Sequence, residues 1–65
     1  MHDVDDIIVE LRAIEERLRD RAYEALRTAA ESGDAQAASD EKKLLQARRA
    51  VERAIKALGG EPDDF

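Results

Sequence analysis

One histidine, two serines and no cysteine are the chain's complement of histidine bases, serine or cysteine nucleophiles and soft metal ligands, in 65 residues. His2 stands beside Asp3 and Asp5, a set that could hold a metal ion only weakly, at a solvated terminus. Ser32 and Ser39 have no histidine within plausible reach to activate them. The chain contains neither a His-Glu-x-x-His run nor the Glu-x-x-His of carboxylate-bridged metal bundles. Its carboxylates fall at helical spacing from arginines: Glu15 with Arg19, Arg12 with Glu16, Glu24 with Arg27. Such spacing makes surface ion pairs rather than acid–base catalysts. The expectation is a protein without enzymatic activity, with no metal, no other cofactor and no small-molecule substrate.

A second chemistry is electrostatic. Lys42, Arg49, Arg53 and Lys56 lie within about 60° of one another on a helical wheel, and Glu52 is the one acidic residue between positions 42 and 56. A row of cations can dock a phosphate-bearing or acidic partner. The same row also suits the late part of a helix, where cations complement the dipole, and the outer face of any helix pair must be polar. No aromatic residue is interleaved to stack on bases. The formal net charge of −5 also weighs against general nucleic-acid binding, which rests on neutralising phosphates. RNA is therefore the less favoured partner.

Helices must position these groups. Val4, Ile7, Leu11, Ile14, Leu18, Ala22, Ala25 and Ala29 follow one another at steps of three and four. At about 100° per residue they form one stripe about 80° wide, which Ile8 and Leu26 broaden to about 120°. Asp3 is placed to cap the start, with Asp5 and Asp6 favoured in the first turn by the dipole. Gly33 supplies the stop. A second stripe carries Leu44, Ala47, Val51, Ala54, Ile55 and Leu58, ended by Gly59, Gly60 and Pro62. This second helix could start at Asp34 or at Ser39. A tight turn at 33–34 sets Leu58 opposite Val9, near Ile7 and Ile8, whereas a start at Ser39 leaves Val4 to Leu11 without partners. The short turn is favoured, although it brings Asp40 near the apolar face.

The sequence thus predicts an all-α protein: an antiparallel two-helix hairpin over 1–60, with helices of about 4–32 and 35–58, and an acidic tail over 61–65. Twelve of the apolar residues are alanine, leaving only 13 Ile, Leu and Val to offset about 1.5 kcal/mol of ordering entropy per residue. The first helix is apolar over a wider arc than one neighbour covers, and Leu45 points away from the second stripe. A homodimer, two hairpins forming a four-helix bundle, would bury the excess. Ile7, Ile8, Leu11, Ile14, Leu18, Leu26, Leu44, Val51, Ile55 and Leu58 are the expected core and dimer interface. Lys42, Arg49, Arg53 and Lys56 are the expected partner face.

In length, mid-chain turn and short acidic tail the layout resembles Rop, the plasmid RNA-binding regulators built as four-helix bundles. The resemblance implies a dimer and raises structured RNA as an alternative partner; it extends to no RNA-contacting residue. The tail Asp63-Asp64-Phe65 resembles, over three residues, the partner-docking tip of bacterial single-stranded-DNA-binding proteins. The reading favoured by the residues is a homodimeric protein-interaction or scaffold module. The acidic start and the lack of a membrane-length apolar run point to a cytoplasmic protein with no membrane partner.

Overall fold

Acidic residues open the first helix and a left-handed glycine closes it. In the computed structural model, which describes residues 4–60, α1 runs Asp5–Ser32 and α2 runs Ala35–Ala57. Asp5 and Asp6 occupy the first turn of α1, but the residue preceding it is Val4, which makes no side-chain cap. Asp3, expected in that role, lies outside the described residues, as do His2 and the acidic tail. Gly33 takes φ 65° and its N–H donates to the Ala29 carbonyl, the geometry only glycine adopts cheaply. Asp34 follows in an extended conformation. Its Oδ1 accepts from the N–H groups of Gln36 at 2.9 Å and Ala37 at 3.3 Å, satisfying two of the free donors at the start of α2.

This cap decides the start of α2 for Asp34 over Ser39. Its cost was to be Asp40 near the apolar face, and Asp40 is indeed half-buried. Gln36 Nε2 donates to its Oδ1 at 2.9 Å, so the carboxylate is hydrogen-bonded where it loses water.

At its far end α2 closes with two backbone bonds. The Gly59 N–H donates to Lys56 O and the Gly60 N–H to Ile55 O, at 2.9 and 3.0 Å, with Gly59 at φ 83°. This is the Schellman arrangement. Gly60 then lies against the hairpin seam, where an added β-carbon would come within 2.6 Å of Ile8 Cγ2 and 3.2 Å of Ile55 Cγ2. Arg12 donates from its guanidinium to the Gly60 carbonyl. The end of α2 is thereby fastened to α1.

The seam between the helices is rotated from the predicted stripe. Val4 and, on α1, positions 8, 11, 15, 18, 22, 25 and 29 are the less exposed ones, and on α2 they include 37, 41, 44, 48, 51 and 55. Ile8, Ala22, Ala37 and Ile55 are the buried apolar residues among those described. Ile7 and Ile14, drawn on the stripe in sequence, stand outside the seam at 44% and 41% exposure. Their places are taken by Ile8 and by the charged Glu15. On α2, likewise, Ala47 is exposed while Arg48 is half-buried.

The register also differs. Arg48 Nε meets Glu15 Oε2 at 2.9 Å, and Ile8 and Ile55 close together on Gly60. Both contacts set α2 about one helical turn deeper along α1 than the predicted pairing of Leu58 with Val9. The first turn of α2 therefore lies beside the last turn of α1, not level with its end. Asp34→Ala should lower stability by about 1 kcal/mol and Ser39→Ala by much less, read by thermal unfolding. Equal losses would return the start of α2 to Ser39.

Candidate functional site

A charged cluster sits at mid-height in the seam. Arg48 bridges Glu15 across the helices at 2.9 Å and Glu52 along its own helix at 3.4 Å. The Glu15 side chain is 22% exposed and that of Arg48 31%, so the pair is shielded without being sealed. The hydrogen bond from Arg48 holds the Glu15 carboxyl below the ordinary carboxylate range. Glu15 was expected to pair along the helix with Arg19, which is instead salt-bridged to Glu16 at 3.6 Å. Neither Glu15 nor Arg48 stood out as a seam residue in sequence. The legible signal was a charge of opposite sign at one position in each apolar row.

Seven-residue periodicity sorts the other side chains onto faces. The seam holds a seven-residue repeat through 4, 11, 18, 25 and 8, 15, 22, 29, so residues seven apart on α1 keep one direction. Arg21, Thr28 and Asp40 together line a shallow, open groove near the turn, which fixes them on one broad face of the hairpin. Ile7 and Ile14 continue the row of Arg21; Ala47 and Ala54 continue that of Asp40. This face is apolar over its open half and polar near the turn.

The opposite broad face carries Leu26, 48% exposed, and half-buried Leu45. Val9 and Tyr23 share one row on the back of α1, 65% and 62% exposed. The molecule measures 48 × 24 × 13 Å. The two helices of the described residues lie side by side in one layer, so both broad faces are outer surfaces.

The ten residues expected in the core and dimer interface are therefore divided. Ile8 and Ile55 are buried, and Leu11, Leu18, Leu44 and Val51 half-buried, in the seam. Ile7, Ile14, Leu26 and Leu58 are exposed.

Lys42, Arg49, Arg53 and Lys56 are all exposed. Positions 42, 49 and 56 form one row on the outer edge of α2, with Arg53 beside it. Among the described residues none of the four makes an ion pair, in contrast to neighbouring Arg48. Ser32 Oγ donates to the Thr28 carbonyl at 2.7 Å, a local helical bond. Among the described residues no group of three or more His, Asp or Glu could hold a metal ion, and no helix is long and apolar enough to cross a membrane. No protein-family model, curated protein or solved structure matches the chain.

The Glu15 shift has a defined sign. Its carboxyl is more acidic folded than unfolded, so the unfolded chain binds the proton at higher pH and stability rises with pH across that interval. The contribution is complete above the ordinary carboxylate range and is lost as pH falls through the depressed value. Chemical denaturation of wild type and Glu15→Gln between neutral and acidic pH should show a constant gap that closes on acidification. A gap independent of pH would remove the ion pair as its cause.

Proposed function

We propose that this chain is a non-enzymatic interaction module that works as a homodimer, two hairpins stacked broad face to broad face as a four-helix bundle. The observation that carries the reading is the pair Ile7 and Ile14. They are β-branched residues at 44% and 41% exposure, on the apolar half of a slab one helix thick. Domains gain stability by packing two layers around a core, and a single hairpin supplies one. Burying an exposed isoleucine contributes up to about 1.5–3 kcal/mol, and a two-fold dimer buries each residue twice. Ala47 and Ala54 on the same face permit close approach of a second layer. Val9 and Tyr23 on the back of α1, with the cationic edge of α2, are then the surfaces offered to a protein partner. A cytoplasmic setting fits this scaffold role.

Sedimentation equilibrium at micromolar concentration should give about twice the 7.3 kDa chain mass. Ile7→Ser with Ile14→Ser should weaken association by on the order of a hundredfold or more, while Val9→Ser leaves it unchanged. A wild-type monomer throughout overturns the proposal.

The second reading is a small Rop-like regulator that binds structured RNA or another polyanion. It is favoured by four exposed cations, Lys42, Arg49, Arg53 and Lys56, none engaged by a carboxylate among the described residues. The net charge of −5 opposes it. Charge reversal of Arg49 and Arg53 to glutamate should preserve helicity and dimer mass. In titrations of a labelled RNA hairpin at physiological salt, the wild type should bind no better than this variant. Wild-type affinity that falls steeply with added salt and vanishes on reversal would replace the first reading with the second.

A further inference from the structure

We propose that the two hairpins of the dimer lie with their turns at the same end, α1 of each on α2 of the other, so that Ile14 and Ile7 seat on Ala47 and Ala54 of the second copy and Arg21 faces its Asp40. This arrangement rests on the dimer proposed above and goes on to assign its symmetry axis.

Two flat hairpins stacked through the same face with helices aligned have two choices of two-fold axis. An axis along the helices places α1 on α2 of the second copy, turns together. An axis across the helices places α1 on α1, turns apart. The rows on the face distinguish them. The contacts of Arg48 with Glu15 and of Ile55 beside Ile8 set the heights of the two helices. On that scale Ile14 stands level with Ala47, Ile7 with Ala54 and Arg21 with Asp40, each within about 3 Å along the axis.

With the turns together, each isoleucine meets a small residue, the fit of knobs to shallow positions by which helices interlock. The polar halves also meet. Arg21 makes no ion pair among the described residues, and Asp40 accepts a hydrogen bond from Gln36 with lone pairs to spare.

With the turns apart and the hairpins fully overlapped, Ile14 meets Arg21 and Ile7 meets Thr28. The Arg21 guanidinium is then pressed on an isoleucine of the second copy and gains no carboxylate across the interface, so it loses water without a new partner, which is unfavourable. The polarity of the face, apolar at the open end and charged near the turn, matches itself in one orientation only.

The chain has no cysteine, so Ala30→Cys gives one attachment point for a nitroxide, exposed near the turn and in the row of Val9 and Tyr23, away from the stacked face. Pulsed dipolar spectroscopy of the labelled dimer should report about 30 Å between labels, against more than about 40 Å with the turns apart. The long distance in a sample of dimer mass overturns the arrangement but leaves the dimer standing. A labelled sample of monomer mass overturns both.

A second experiment needs no label. Arg21→Asp alone and Asp40→Arg alone should each weaken self-association by on the order of tenfold. An equimolar mixture of the two variants should recover wild-type association as a heterodimer, since every cross-copy pair is then of opposite sign. Each chain in the mixture still carries like charges at its own positions 21 and 40, so recovery reports contact between copies. A mixture no tighter than its components overturns the pairing.

Discussion

Two helices in contact can hide one stripe each, and the area hidden is capped by the meeting of two cylinders. This chain meets the cap with few large residues. Two of the four buried apolar residues among those described are alanines, Ala22 and Ala37; the others are Ile8 and Ile55. Alanine brings the backbones close but removes little apolar surface from water, and burial scales with that area. Leu11, Leu18, Leu44 and Val51 remain only half-covered. The apolar residues that one layer cannot cover are left on its broad faces, and that surplus is the observation from which we propose a bundle of two hairpins.

Polar contacts supply what so thin a seam cannot, a unique register. Alanine-rich helices slide past one another at little cost. The Glu15–Arg48 pair fixes one height near the middle of the seam, and Gly60, held between Ile8, Ile55 and Arg12, fixes another at the open end. The Asp34 cap fixes the third, at the turn. The ion pair is partly solvated, so its net stabilisation is small. Its value lies in what other registers would cost, since shifting α2 by a turn would leave Glu15 and Arg48 against apolar neighbours.

Much of this was legible from residues alone, where chemistry is local. Gly33 and Asp34 announce a stop and a start because a left-handed backbone and a side-chain cap each need a particular residue type. The helices consequently fall at Asp5–Ser32 and Ala35–Ala57, close to the bounds of 4–32 and 35–58 read from periodicity. The choice between Ile7 and Ile8 was not local. Both positions are isoleucine, and a stripe drawn through apolar residues alone passes through Ile7 and Ile14, since the row of Ile8 runs into Glu15. Only the position of Arg48 on the second helix makes a charge in the seam favourable, and that depends on register. The cationic edge of α2 was legible as a row; that its members make no ion pair among the described residues emerges only from the side-chain geometry.

If the hairpin depends on a second layer for its stability, its folding is coupled to its concentration. A partner that binds only the folded chain raises the unfolding midpoint by mass action. Thermal unfolding followed by circular dichroism, over a range from below one micromolar to several hundred micromolar, tests this most directly. The account predicts a midpoint that climbs steadily with concentration. A midpoint that stays constant across the range would contradict it, since it would mean that the single hairpin is stable with Ile7 and Ile14 in water.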